Sequence, residues 1–170
     1  MIACATAMPD PEAAVLDALA GLKIGYERLE CDPEAADTAV FCARYGIPPE
    51  RSANTILVAS KKEPKVHAAC VVLATTSLDV NHAVRGLLGV SRLSFASAEE
   101  TVAVTGMIVG GVTPFGLPAA LPVYVDEAVM APEWIVLGGG GRSSKIKLAP
   151  AALRLVPGLQ VVPGLARPRA

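Results

Sequence analysis

The sequence predicts an α+β fold: a single domain over residues 1–170, its core about residues 10–157, with a curved, mixed, largely antiparallel β-sheet and helices packed on it. Three observations carry this. Helical and strand patterns are mixed along the chain without the regular strand–helix alternation of a doubly wound sheet. Two hairpins are legible, and hairpins impose antiparallel pairs. The chain is 52% apolar and only 18% charged over 170 residues, which excludes a disordered chain and is enough to bury a sizeable core without staples.

The elements follow in order. Asp10 is a good N-cap, Pro11 suits the first helical position, and Val15, Leu16, Leu19 and Leu22 form one apolar stripe, so a helix runs from Asp10 to Leu22. Gly21 and Gly25 end it, and a short strand is expected over Ile24 to Leu29. A second helix is expected from Pro33 to Tyr45, with Val40 and Phe41 inward and Gly46 as its stop. Thr55 to Ala59 and Val66 to Leu73 are apolar, β-branched runs around the charged turn Lys61-Lys62-Glu63-Pro64-Lys65, a hairpin of central strands. Asp79 caps a third helix through Leu88, stopped by Gly89. Ser97 with Glu100 is a capping box that opens a short helix to about Val104. Val123 to Val125 and Trp134 to Leu137 read as strands, and Lys145 to Leu148 alternates as a half-exposed strand does. Ala149 to Leu153 makes a last helical turn, and Arg167 to Ala170 reads as a tail.

Charge and hydropathy narrow the class. The net charge is −1, which excludes a protein whose affinity rests on a large basic surface, a general nucleic-acid coat included. Contact with one end of an RNA is still open. Mean hydropathy is +0.47, and Thr101 to Val125 is uncharged. Its Gly106, Gly110, Gly111, Gly116, Pro114, Pro118 and Pro122 break any lipid-exposed helix, so it reads as buried strand and loop, with no membrane partner. Met1 to Met8 has no basic segment before its apolar stretch, and a cytoplasmic protein is expected. Cys4, Cys31, Cys42 and Cys70 form no CxxC pair, and His67 and His82 are not at zinc spacing, so reduced thiols and no metal are expected.

Several active sites are absent: no GxSxG, no HExxH, no GxGxxG. Gly138 to Lys145 reads GGGGRSSK, but Arg142 follows the last glycine and a strand pattern follows the loop, unlike a phosphate loop. What remains are two glycine-rich loops, Gly106 to Gly116 and Gly138 to Ser144. Glycines let backbone approach a ligand and present successive N–H donors, which can hold a developing oxyanion. Tight turns alone would explain the same residues.

The sequence resembles the YbaK/ProX family of aminoacyl-tRNA deacylases, which is also the insertion domain of bacterial prolyl-tRNA synthetases. The resemblance runs from about Ile24 to Leu155. Val109-Gly110-Gly111-Val112-Thr113-Pro114-Phe115-Gly116 matches the family's Gly-x-x-x-Pro loop. Ala53 to Ala59, Ser77-Leu78-Asp79-Val80 with Leu88-Gly89, Val125-Asp126, and Leu137-Gly138-Gly139 through Leu148-Ala149-Pro150 support it. The resemblance implies a freestanding trans-editing hydrolase without metal, cofactor or triad. Water attacks the ester joining a wrong amino acid to tRNA, helped by backbone groups and the terminal ribose hydroxyl. The implied partners are the aminoacyl-tRNA acceptor end and an aminoacyl-tRNA synthetase, and not DNA. Carried over, Gly110 and Gly111 with Thr113 and Pro114 surround the carbonyl and ribose. Gly138, Gly139, Arg142 and Ser143 form a facing wall, and Val58, Val71 and Met107 are weaker candidates for the pocket floor.

Two departures stand out. The family usually has a lysine where this chain has Asn54, and the nearest match to a family Asp in the second loop is Lys145. A positive charge lost at one position and a negative one lost at the other suggest a charge swap across one site, with Lys145 or Arg142 taking over the role of the missing lysine from the opposite wall. The other readings are a different amino-acid specificity, or a non-catalytic module binding an aminoacyl-tRNA end, a synthetase or a small ligand. Cys31 has no basic partner in the sequence to make it a nucleophile.

Overall fold

The computed structural model describes residues 10–169. The chain enters through α1 (Pro11–Gly21), where the Asp10 carboxylate accepts from the Glu12 N–H and Val15 and Leu19 are buried. Strand β1 (Glu27–Glu30) and helix α2 (Thr38–Tyr45) follow, with a 3-10 turn over Pro33–Ala35 between them. The hairpin is β2 (Ala53–Ser60) and β3 (His67–Leu73). Then come β4 (Thr76–Leu78), a π turn over Val80–Val84, α3 (Arg85–Leu88), β5 (Leu93–Phe95) and α4 (Ala98–Thr105). The chain closes with β6 (Val123–Asp126), β7 (Ile135–Gly138), β8 (Ser144–Leu148), β9 (Leu159–Val162) and β10 (Ala166–Pro168).

The main sheet has the order β5-β2-β3-β6-β9. Its β5–β2 and β2–β3 pairs are antiparallel, while β3–β6 and β6–β9 are parallel. A smaller antiparallel sheet, β1-β8-β7, is joined to it by a parallel bridge between Ser52 and Val136, and β4 pairs with β10. The mixed sheet and packed helices agree with the predicted class.

The continuous apolar run of β3 has a direct cause. Ala69, Val71 and Leu73 face a core with Val15, Leu19, Met107, Phe115, Ile135 and Ile146. Ala68, Cys70 and Val72 face a second core with Val58, Val84 and Leu165. A strand buried on both faces has no polar side, and so it loses the alternation of a half-exposed strand.

Pairing along β2 is uneven. Strand β5 pairs with Val58–Ser60 and the Ala96 N–H donates to the Leu57 carbonyl at 2.9 Å, so β2 from Ala53 to Ile56 has an open side where a second loop or a ligand can approach. The two glycine loops converge there.

Some predicted boundaries move. Residues 33–45 are not one helix: the 3-10 turn and α2 are separated at Ala36 and Asp37, and Asp37 takes the N-cap position. Val40 is exposed, not inward, because the short α2 buries only Phe41 and Cys42. The supposed tail pairs with β4 up to Pro168. Trp134 lies just outside β7. Lys145 is buried, not half-exposed. The expectation for Met1 to Met8, and Cys4 with it, lies outside the described residues. No helix among the described residues is long and apolar enough to cross a membrane.

Candidate functional site

The two glycine loops are locked together by backbone contacts that leave no room for side chains. The Gly140 N–H donates to the Gly111 carbonyl at 2.6 Å, and the Ile108 N–H donates to the Gly140 carbonyl at 3.0 Å. A Cβ on Gly138 would lie 2.5 Å from the Val112 carbonyl oxygen and 2.6 Å from that of Gly111. One on Gly111 would fall on the Gly141 carbonyl. Glycine is required here by backbone proximity, whatever else the loops do.

Arg142 fixes the outer side of this junction. Its Nε donates to the Pro33 carbonyl at 2.9 Å, and its Nη1 to the Val109 carbonyl at 2.9 Å and the Asp37 carboxylate at 3.2 Å. The Ser143 N–H donates to the Glu12 carboxylate at 2.9 Å. These contacts bind α1, the Pro33 turn and both loops into one wall. Arg142 and Ser143 are thereby turned to structural partners.

Inside the wall lies Lys145. Its register position opposite Leu29 and Gly138 puts it on the face of β8 that Phe41 covers. The ammonium donates to the Ala36 carbonyl at 2.7 Å and the Gly110 carbonyl at 2.9 Å. It also sits 5.3 Å from the centre of the Phe41 ring, a cation–π contact. Burial pushes its pKa below the ordinary lysine range, because a low-dielectric site disfavours the charged form. An ammonium has three donors. Two are used, which leaves one for the adjoining space.

That space is a cavity of about 190 Å³ lined by Thr38, Ala53, Asn54, Thr55, Ile56, Gly110, Val112, Gly138 and Lys145. The Thr38 hydroxyl donates to Asn54 Oδ1, so the Asn54 NH2 group remains a donor pair. Thr55 Oγ1 is shielded from solvent and has no partner among the described residues. Among the described residues no carboxylate lines the cavity. The site therefore presents donors from three side chains and the open side of β2, and it suits an oxygen acquiring negative charge.

The predicted residues divide accordingly. Asn54, Gly110, Gly138 and Lys145 are brought together around one cavity. Gly111 and Gly139 lie behind its wall: a Cβ on Gly139 would meet Ser144. Thr113 is fully buried and its hydroxyl has no partner among the described residues, while Pro114 faces a separate apolar cleft with α1. Val58, Val71 and Met107 are packed in the two cores. Thr38 and Thr55 were not singled out in the sequence. An N-cap-side threonine on a short helix and a strand threonine carry no local signal of a site.

Cys31 is buried, and its thiol donates to the Asp32 carbonyl at 3.3 Å. Burial pushes its pKa up despite the nearby Lys145 and Arg142 charges, so it is held as a thiol and not as a nucleophilic thiolate. Burial pushes Cys70 up to about 12. No group of three or more His, Cys, Asp or Glu side chains among the described residues could hold a metal.

Comparison with solved structures gives the same fold. A hypothetical protein designated APE2540 superposes with a TM-score of 0.80 at 23% identity, covering 91% of this chain and 99% of that one. A protein provisionally described as a trans-editing enzyme for prolyl tRNA synthetase superposes with a TM-score of 0.77 at 23% identity, covering 92% of this chain and 98% of that one. At this identity the likeness concerns architecture. The family model of the aminoacyl-tRNA editing domain matches residues 32–155, which spans the cavity, both glycine loops and Lys145. The chain belongs to the aminoacyl-tRNA editing domain family.

Proposed function

We propose that this protein hydrolyses the ester of mischarged aminoacyl-tRNA, acting on the acceptor end in trans. The observation that carries this reading is the small, donor-rich, carboxylate-free cavity around Lys145. The lobe beside Lys145, of about 190 Å³, opens onto neighbouring clefts along β2 and has room at Lys145 for a small group. It suits a small aminoacyl group, the case in which binding discrimination alone is weakest and editing is needed.

The chemistry is spare. A water oxygen attacks the ester carbonyl carbon, and the carbonyl oxygen becomes an oxyanion facing the donors of Lys145, Asn54 and Thr55. The bond to the ribose oxygen then breaks, that oxygen takes a proton, and free amino acid and tRNA leave. Because no described residue lining the cavity is a carboxylate, this reading gives the task of orienting the water to the substrate's own ribose hydroxyl. Ester hydrolysis needs little beyond such placement and charge stabilisation. In this reading Lys145 supplies the positive charge that Asn54 lacks, and its ammonium, held by the Ala36 and Gly110 carbonyls at the cavity wall, supports the charge swap expected from the sequence.

A binding module without catalysis is the second reading, favoured by Asn54 and by the absence of a general base on the cavity wall. A panel of tRNAs mischarged with alanine, cysteine or serine separates the two. Catalysis predicts release of one of these small amino acids well above the spontaneous rate. Binding of the charged tRNAs with no release across the panel would establish the module instead.

A further inference from the structure

We propose that the face running from the cavity along β2 and β5 is a track for the single-stranded 3′ end of an RNA, with Phe95 as a stacking platform and Lys61, Arg85 and Arg92 as a phosphate cleft. The inference deepens the editing reading and rests on it for the RNA's identity.

Three observations line up. First, the cavity opens into a second cleft of about 220 Å³, with which it shares Thr55, Ile56, Gly110 and Val112. Phe95 lines this second cleft and is 59% exposed; Val109, also on it, is 44% exposed. A core-forming sheet gains nothing by leaving an aromatic ring in water. A base stacked on it would cover both apolar faces.

Second, the strand register carries the track onward. Phe95 is paired with Val58 and Leu93 with Ser60, and the Lys61 N–H donates to the Arg92 carbonyl at 3.2 Å. Beyond that point lies a third cleft of about 310 Å³, lined by Lys61, Asn81, Arg85, Ser91, Arg92 and Leu93. From Asn54 to Ser60 the strand covers about 20 Å, the scale of a few nucleotides leading away from the ester.

Third, the cleft's charge is uncompensated. Among the described residues none of Lys61, Arg85 and Arg92 takes part in an ion pair. The nearby Glu63 carboxylate accepts from the Lys65 N–H, and Arg85 spends one N–H on the Ser91 carbonyl. In a chain of net charge −1, three unpaired cations around one cleft call for an anionic partner. Phosphates spaced along a strand fit, since the aromatic platform lies between them and the cavity.

The test is binding of an uncharged acceptor minihelix ending in unpaired CCA, followed by fluorescence anisotropy at several salt concentrations. Phe95→Ala should raise Kd by about 5- to 150-fold, the range of one lost base stack. The double variant Lys61→Gln, Arg92→Gln should weaken binding and flatten the salt dependence, by about 0.7 in the logarithmic slope per lost phosphate contact. Arg154→Gln, remote in sequence and outside the three clefts, is the control. Equal affinity of both variants and wild type overturns the track, as does an equal loss in Arg154→Gln or no binding by wild type. Loss of RNA binding in the variants of a protein that hydrolyses no charged tRNA still supports the track, and places the failure in the catalytic reading.

Discussion

Lys145→Met is expected to abolish most deacylation while leaving a folded protein. Methionine keeps the length and apolar stem of lysine and removes its charge and donors. If the third N–H faces the developing oxyanion, its loss costs about 10²–10³ in rate, the cost of removing one such donor elsewhere. Stability also falls, by about 1–3 kcal/mol, because the Ala36 and Gly110 carbonyls lose their shared donor. Lys145→Arg tests whether charge alone suffices; its planar fork cannot occupy the place of a compact ammonium between two carbonyls.

The pH dependence carries a distinctive sign. Burial lowers the Lys145 pKa in the folded state, so the unfolded chain holds this proton more tightly. Between the depressed folded value and the ordinary value of about 10.4, stability contributed by this group rises with pH. Deacylation corrected for spontaneous ester loss should fall over the same window, as the ammonium is lost. Other groups titrate there too, so the difference between wild type and Lys145→Met isolates the effect. Activity and stability moving in parallel would exclude an acting ammonium.

Gly138→Ala is expected to be as damaging by a different route. Its Cβ would lie 2.5 Å and 2.6 Å from two backbone carbonyl oxygens, and backbone cannot step aside as a flexible side chain can. The loops must separate, at a cost of about 1–3 kcal/mol or more, and the cavity wall moves with them. Denaturant unfolding should show the loss, and binding of charged tRNA should fall with it. Gly25→Ala is the contrast: nothing lies within 4 Å of its Cβ position and its φ is not positive. There the change should be neutral or stabilise by up to about 1 kcal/mol through the unfolded chain. Equal losses at the two positions would show that the close loop contact does not matter.

The sequence carried the hairpin, the first helix and the capping box because each depends on local signals: a turn, a proline after an aspartate, a serine three residues before a glutamate. It missed β9 and β10, which follow Pro157-Gly158 and contain Pro168 and are strands only because β6 and β4 offer edges. Lys145 shows the limit most clearly. The Lys-Ile-Lys-Leu alternation correctly places Lys145 and Lys147 on one face of β8, with Ile146 and Leu148 in the core. It cannot show that Phe41 and the Gly110 loop cover that face at Lys145, whereas Lys147 lies beside Trp134 with its ammonium 4.3 Å from the ring centre. Likewise, glycine content located both loops. Which glycines touch the cavity and which only touch each other depends on contacts between segments more than twenty residues apart.

The proposed function requires the aminoacyl group to be held in the cavity between β2 and the glycine loops. Titration with 3′-aminoacylamino-adenosine, an amide that resists hydrolysis, tests it most directly when followed by amide chemical shifts. The largest shifts are expected at Asn54, Thr55, Gly110 and Gly138, which line the cavity. Shifts concentrated instead at Gly116 to Leu121, on the apolar cleft beside α1, would contradict it.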